Sequence, residues 1–347
     1  MTLEPMVAGD PAPLLRGRAP SRGAWRTGFS RLCQDRVAMV ALGVFLFVVV
    51  LTLLAPAYAR FVAQTDPFHS NIDGEILLDG EMVPVIQAST EGLGLGQTPI
   101  GPTWQRSYFL GADNQGRDVA ARILYGGRYS LIVAGASTVL CLALGTFFGV
   151  VSGFAGGIVD AILSRLMDIL WAFPVYLLAI SLSIVLISKG IEIGPLTLDA
   201  GSLALPILII GVIYVPYVAR PIRGQVLTLK HSDFVLAAIG FGVPSHRILL
   251  RDILPNVSTT VIVFVPLMMA LNMLTESALS FLSIGVQEPN ASWGTIIEDG
   301  LALLYTRPMV ALTPGLAIAL TVLALNLFGD GLRDALDPRS RLRIRVG

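Results

Sequence analysis

Six stretches of the chain stay apolar for about the 20 residues a helix needs to cross a hydrocarbon layer. They are Val37–Tyr58, Ser130–Ser152, Ile169–Ile187, Leu203–Ala219, Ser258–Ile284 and Val310–Phe328. The third carries Pro174 and the fourth Pro206 and Pro216. Such prolines kink membrane helices and are tolerated where neighbours satisfy the freed carbonyls. Between the first two stretches lies the largest polar piece, residues 60–129, rich in Gly, Pro and Asp. Glu75–Ile86 alternates weakly around Asp79-Gly80, which predicts a small hairpin. Ala57-Tyr58-Ala59 fits a small-x-small cleavage site, which would make the first stretch a leader. Its apolar run is longer than the roughly 7–15 residues of a leader's central region, which favours a retained span.

Composition agrees with this pattern. Of 347 residues 54% are apolar and 14% charged, against about 25% charged in an average soluble domain. An ordinary soluble enzyme and a disordered chain are both excluded. The 24 basic and 24 acidic residues cancel, so no global field attracts nucleic acid. The basic residues are unevenly placed. Arg16, Arg18, Arg22, Arg26, Arg31 and Arg36 precede or open the first span, and Arg165 lies between the second and third. Arg220, Arg223, Lys230, Arg247 and Arg251 lie between the fourth and fifth, and Arg333, Arg339, Arg341, Arg343 and Arg345 follow the sixth. The positive-inside bias then puts both termini in the cytoplasm. The expected organisation is a cytoplasmic tail over 1–36, a first membrane helix over 37–58 and an extracytoplasmic segment over 59–129. A core of five helices with a cytoplasmic loop at 220–257 follows over 130–329, and a cytoplasmic tail closes the chain over 330–347.

Familiar catalytic signatures are missing. The chain has two lysines, Lys189 and Lys230, and neither follows the glycine that a phosphate-binding loop requires. His69, His231 and His246 have no metal-ligand spacing, and two cysteines make no disulfide framework. No catalytic residue, resident metal or cofactor is expected in this chain.

The loop RPIRGQVLTLKHSDFVLAAIGFGVPSHRILLRDILPN, residues 220–256, is too polar to span and too long for a plain connection. Ser232 or Asp233 can cap a short helix over Phe234–Ile239 that Gly240 and Gly242 end. Ser245 can cap a second helix over His246–Leu254 that stops at Pro255. Phe234, Val235 and Leu236 would be exposed. Such a tip beside basic residues suits a docking surface for a partner or a helix resting on lipid headgroups.

The loop resembles the pattern E-A-A-x3-G-x9-I-x-L-P of bacterial ABC importer permeases. Ala237, Ala238, Gly242, Leu254 and Pro255 match it, while Leu236 stands for the Glu and Asp252 for the Ile. Three other blocks resemble the dipeptide/oligopeptide permease family, C-type subunit. The first runs from Leu110 to Val119 (LGADNQGRDV), continuing to Arg122, Tyr125-Gly126 and Arg128-Tyr129-Ser130. The second is Thr275–Leu282 with Gly285-Val286-Gln287, Pro289 and Trp293-Gly294. The third is Asn326, Gly329–Asp334 and Asp337-Pro338-Arg339. The resemblance covers about residues 30–340.

It implies an all-α polytopic membrane protein with six transmembrane helices and the ABC importer permease fold, its extracytoplasmic segment between helices 1 and 2 enlarged. It implies a bacterial inner-membrane location, a B-type permease partner, two cytoplasmic ABC ATPase subunits that bind ATP and Mg, and an extracytoplasmic solute-binding protein, in contact with membrane lipid and no nucleic acid. Asp233–Gly242 becomes the coupling helix that seats in an ATPase cleft. Phe234 and Val235 are then apolar anchors, Ala237 and Ala238 permit close approach, and Gly242 permits the turn. Glu276 is the one carboxylate deep in an expected span. It either meets a peptide's ammonium group on the translocation pathway or holds a neighbouring helix. Asp113, Arg117 and Asp118 could contact the binding protein or anchor the second span, the anchor being favoured, and Arg165 and Asp168 are expected to form a local pair. Arg333, Asp334, Asp337 and Arg339 are expected to form an ion-pair lattice. Gly145, Gly149 and Gly153 are spaced for close helix packing.

The function implied is translocation of di- and oligopeptides, with a nickel complex or a saccharide as the alternative solute. A membrane scaffold or sensor with a docking loop is the rival from another class. An ion-driven carrier would show repeated halves and several intramembrane charges, which are not evident here.

Overall fold

A computed structural model describes residues 23–78, 80–89, 96–189, 191–193, 196–199 and 201–336. A short helix α1 (Gly23–Leu32) leads into α2 (Arg36–Leu53), whose first N–H groups are capped by Asp35 through Val37 and Ala38 at 2.9 and 3.1 Å. Such a cap satisfies donors that no helical carbonyl can reach. A three-residue turn of helix, α3 (Ala55–Ala57), and a wide turn over Tyr58–Ala63 end the first span.

The segment that follows folds into two antiparallel hairpins, β1 (Glu75–Leu78) with β2 (Glu81–Pro84) and β3 (Ile86–Ala88) with β4 (Gln97–Pro99). The first hairpin turns where Asp79-Gly80 was expected to turn. Gly80 has φ +94°, and Asp79 lies outside the described residues. Val85, Ile100, Tyr108 and Ala112 form a small core beneath the hairpins.

α4 (Val119–Ala155) is longer than the expected second span. It begins at Val119 because Asp118 caps it, accepting from the Ala121 N–H at 3.2 Å. The expected third span is not one straight helix. α5 (Gly157–Ala172) and α6 (Val175–Lys189) meet at an angle of 89°. Phe173 is extended (φ −94°, ψ 141°) because a residue before proline is pushed out of the helical region, here by Pro174. A short hairpin, β5 (Ile191–Ile193) with β6 (Leu196–Leu198), follows.

α7 (Ala204–Ile213) and α8 (Val215–Lys230) form one membrane-length run that carries the fourth span on to Lys230. After α9 (Asp233–Gly240), the turn α10 (Ser245–Ile248) and a wide turn over Leu249–Ile253 pass straight into α11 (Leu254–Phe281). The expected second loop helix that stops at Pro255 is therefore corrected. Pro255 sits in the first turn of α11, where its missing N–H costs nothing. Pro244, not Ser245, precedes α10 as its cap residue. α12 (Trp293–Leu301) opens with a capping box of Ser292 and Thr295, and α13 (Met309–Leu336) closes the described chain.

Among the described residues five helical runs are long and apolar enough to cross a membrane, or six where the bent pair α5–α6 counts as one span. α4 is the central post. A Cβ added at Gly145 would lie 2.7 Å from Val218 Cβ, one at Gly149 2.6 Å from the Ala219 carbonyl, and one at Gly153 2.9 Å from the Arg223 carbonyl. The four-residue glycine spacing thus lets α4 and α8 touch backbone to backbone, as expected. Large apolar side chains such as Val40, Val139 and Leu316 face outward, as suits a bilayer solvent.

Candidate functional site

Helix directions put α9 and the C-terminal ends of α4, α8 and α13 at one end of the bundle, with the hairpins and α12 at the other. At the first end, α9 is joined to α8 through His231 and Ser232 alone. One face of α9 is seated on the bundle. Val235, 1% exposed, belongs to the main core with Val226, Ile248, Ile253 and Val257, and Ala238 packs against it. The expectation that Val235 is exposed is corrected, since its side chain anchors α9 to its own bundle. The opposite face is bare. Asp233, Phe234, Leu236, Ala237 and Ile239 are exposed, and Phe241 is 88% exposed.

The helix ends in a left-handed cap. The Val243 N–H donates to the Ala238 carbonyl at 3.0 Å and the Gly242 N–H to the Ile239 carbonyl at 2.9 Å, with Gly242 at φ +73°. This six-to-one, five-to-two pair needs a residue that accepts positive φ, which glycine does without strain. Leu254 and Pro255 lie in the entry to α11, apart in the chain from the α9 tip.

Glu276 lies wholly buried in α11. Ser280 Oγ donates to Oε1 at 2.8 Å and Ser277 Oγ to Oε2 at 3.3 Å, and the Ser130 and Ser292 hydroxyls face the carboxyl. No Arg or Lys among the described residues pairs with it. The same serines hold backbone N–H groups. Val286 donates to Ser280 Oγ, Trp293 to Ser130 Oγ and Thr295 to Ser292 Oγ. Glu276 therefore ties α4, α11 and the entry to α12 together. A separate cavity of about 970 Å³ opens between α8, α11 and α13, lined by Tyr217, Arg220, Gln225, Asn256, Phe264 and Asn326 among others. Glu276 is not among its lining residues.

At the hairpin end a buried ion network joins the blocks around residues 113–122 and 285–299. Arg117 meets Asp113 at 2.7 Å, Asp299 at 3.0 Å and Glu288 at 3.3 Å. Arg122 meets Asp299 at 2.8 Å, Asp113 at 3.2 Å and the Pro67 carbonyl at 3.2 Å. Asp118, also buried, accepts from the Tyr108 N–H and the Thr65 hydroxyl as well as from α4. Burial holds its carboxyl above the ordinary value, against those hydrogen bonds. The anchoring expected of Asp113, Arg117 and Asp118 agrees with these contacts. Asp299 and Glu288 were missed, because they sit more than 170 residues from Arg117 in the chain.

Asp168 pairs with Arg220 at 2.7 Å and only loosely with Arg165 at 4.0 Å, which revises the expected local pair. Of the lattice expected after α13, Asp337 and Arg339 lie outside the described residues. Among the described residues there is no group of three or more metal-ligating side chains.

The family described as binding-protein-dependent transport system inner membrane component matches residues 145–342. The chain belongs to that family. Residues 21–76 also match the N-terminal transmembrane domain of oligopeptide transport permease C. This family member is 33% identical over 320 residues to the oligopeptide transport system permease protein OppC of Haemophilus influenzae, covering 92% of this chain and 90% of that one. It is 31% identical over 340 residues to the dipeptide transport system permease protein DppC of Alkalihalophilus pseudofirmus, covering 97% and 98%. It is 34% identical over 327 residues to the glutathione transport system permease protein GsiD of Pectobacterium atrosepticum, covering 94% and 95%. A chain of the MetNI methionine ABC transporter, solved in inward-facing conformations, superposes with TM-score 0.51 at 16% identity, covering 62% of this chain and 96% of that one. That likeness shows the permease fold.

Proposed function

We propose that this family member is the C-type permease subunit of an ATP-driven importer of peptides, driven through α9 by cytoplasmic ATPase subunits. In this reading an extracytoplasmic binding protein delivers the solute at the hairpin end, and a B-type permease completes the path. The relatives' names supply the solute class: oligopeptide, dipeptide and glutathione systems all carry short peptides. The observation that carries the coupling role is the bare apolar face of α9, Phe234, Leu236, Ile239 and Phe241, on a helix seated through Val235 on the span bundle. An exposed apolar tip on a rigid base suits insertion into a partner's cleft.

In this reading both termini and the α9 end face the cytoplasm, which the arginine-rich tails support. The tails are 1–36 and 330–347, and 59–129 is extracytoplasmic. Asp233, Phe234, Ala237 and Gly242 form the ATPase-facing element, Ala238 packs beneath it on the bundle side, and Leu254 and Pro255 fix where it rejoins the bundle. ATP and Mg are held by the ATPase subunits. Glu276, enclosed by serines of α4, α11 and the entry to α12, acts by holding these elements together rather than by touching solute.

The test is ATP hydrolysis by the assembled importer, stimulated by its peptide-loaded binding protein. Phe241→Asp abolishes that stimulation and the co-purification of the ATPase subunits while the permease stays folded. Full stimulation with Phe241→Asp would remove α9 from the coupling route.

A further inference from the structure

The helix that carries α9 also grips the broken helix pair. α8 runs to Lys230, and the Ser232 and Val235 N–H groups donate to the Leu229 and Ser232 carbonyls, so the bend into α9 is internally bonded. From the same helix, Arg223 binds Asp160 of α5 in fork-to-fork fashion, Nε to Oδ1 and Nη2 to Oδ2, both at 2.6 Å. One turn earlier Arg220 binds Asp168 of α5 at 2.7 Å, its guanidinium 4.4 Å from the centre of the Trp171 ring. Ser152 and Ser164 complete the shell of Asp160. Lys230 donates to the Phe154 carbonyl at 2.9 Å, at the very end of α4, where the helix dipole favours a cation.

α5 has little else to hold it. Met167 is its one buried residue among those described. It hangs between two joints. At its start, Gly156 and Gly157 both have positive φ, +68° and +55°; after it, the chain turns 89° at Phe173-Pro174 into α6. A segment jointed at both ends and gripped by two arginines moves with the body that supplies the arginines.

We propose that Arg220 and Arg223 form a two-point clamp through which a displacement of α9 drives α5 and the broken pair α5–α6, with Asp160 and Asp168 as its grips. These are positioning residues. The inference rests on the reading of α9 as the ATPase-facing element. The clamp needs arginine. A bidentate pair fixes orientation as well as distance and so transmits a rotation, which a lysine point charge does not.

The experiment uses the complete importer in proteoliposomes, with its binding protein and a radiolabelled tripeptide as probe. It reads tripeptides imported per ATP hydrolysed for the parent, Asp160→Asn, Arg223→Lys, and the exchange of Asp160→Arg with Arg223→Asp. The clamp predicts that both single variants assemble and hydrolyse ATP at close to the parent rate. Their import ratio falls about tenfold, within the range of ordinary coupling free energies. The exchange restores most of it. An unchanged ratio in Arg223→Lys and Asp160→Asn overturns the clamp, as does a parallel fall of import and hydrolysis, which marks the pair as structural only. Absence of import by the parent chain, with hydrolysis intact, instead overturns the peptide reading, and ATPase subunits that still co-purify with Phe241→Asp overturn the α9 reading on which the clamp rests.

Discussion

Replacing Glu276 by glutamine tests what that carboxylate does. Four hydroxyls surround it: those of Ser280 and Ser277 donate to it, and those of Ser130 and Ser292 face it. Three of those oxygens already accept a backbone N–H, from Trp293, Val286 and Thr295. Their hydrogens need an acceptor, and the carboxylate offers two oxygens with about four acceptor sites. Glutamine keeps the volume but offers one oxygen, and its NH₂ group faces hydroxyls that want to donate. About two of the four hydroxyls lose their acceptor. At about 1–3 kcal/mol for each buried donor left unpaired, Glu276→Gln costs roughly 3 kcal/mol. The assay is thermal and denaturant unfolding of the purified chain in detergent, with uptake measured in parallel. The expected result is a clear drop in stability, with uptake lost in proportion to folded protein. Glu276→Gln within about 0.5 kcal/mol of the parent, the scatter of an ordinary surface change, refutes this reasoning. Uptake lost at full stability would put the carboxylate on the solute path.

Gly149→Ala places a Cβ 2.6 Å from the Ala219 carbonyl; forced repacking costs about 1–3 kcal/mol, read as a lowered unfolding midpoint, whereas Gly43→Ala, with nothing within 4 Å, leaves the midpoint unchanged. Gly242→Ala meets no atom within 4 Å but must hold φ +73°, a strain of about 1–2 kcal/mol. It loosens the α9 cap and lowers stimulated ATP hydrolysis more than global stability. Arg117→Ala leaves the buried Asp113 and the half-buried Asp299 each with one arginine instead of two and destabilises the chain by about 3 kcal/mol. Glu288→Gln, whose side chain is 69% exposed, changes stability by no more than about 1 kcal/mol; unfolding titrations of the pair separate buried from exposed charge.

The spans were legible because a bilayer demands long apolar runs, and the glycine ladder on α4 was legible because its period matches one helix face. What the sequence left open was geometry set by neighbours. Pro174 announced a kink, but only the chain around it turns that kink into an 89° break. Pro255 reads as a helix stop, and only the wide turn that precedes it in the folded chain makes it a first-turn residue of α11. Val235 and Phe234 are adjacent apolar residues on one exposed-looking loop. Which of them is buried depends on Ile248 and Val257 arriving from elsewhere. The arginine–aspartate network pairs Arg117 with residues 288 and 299, a separation at which local pattern carries no signal.

The account stands or falls on transport. Proteoliposomes are loaded with the partner permease, the ATPase subunits and this chain, supplied with peptide-bound binding protein outside the permease and ATP on the α9 side. A labelled tripeptide is then followed into or out of the lumen. The account predicts ATP-dependent movement from the hairpin end toward the α9 end, absent when this chain is omitted. A complex that assembles, hydrolyses ATP in response to loaded binding protein and moves no peptide would contradict it.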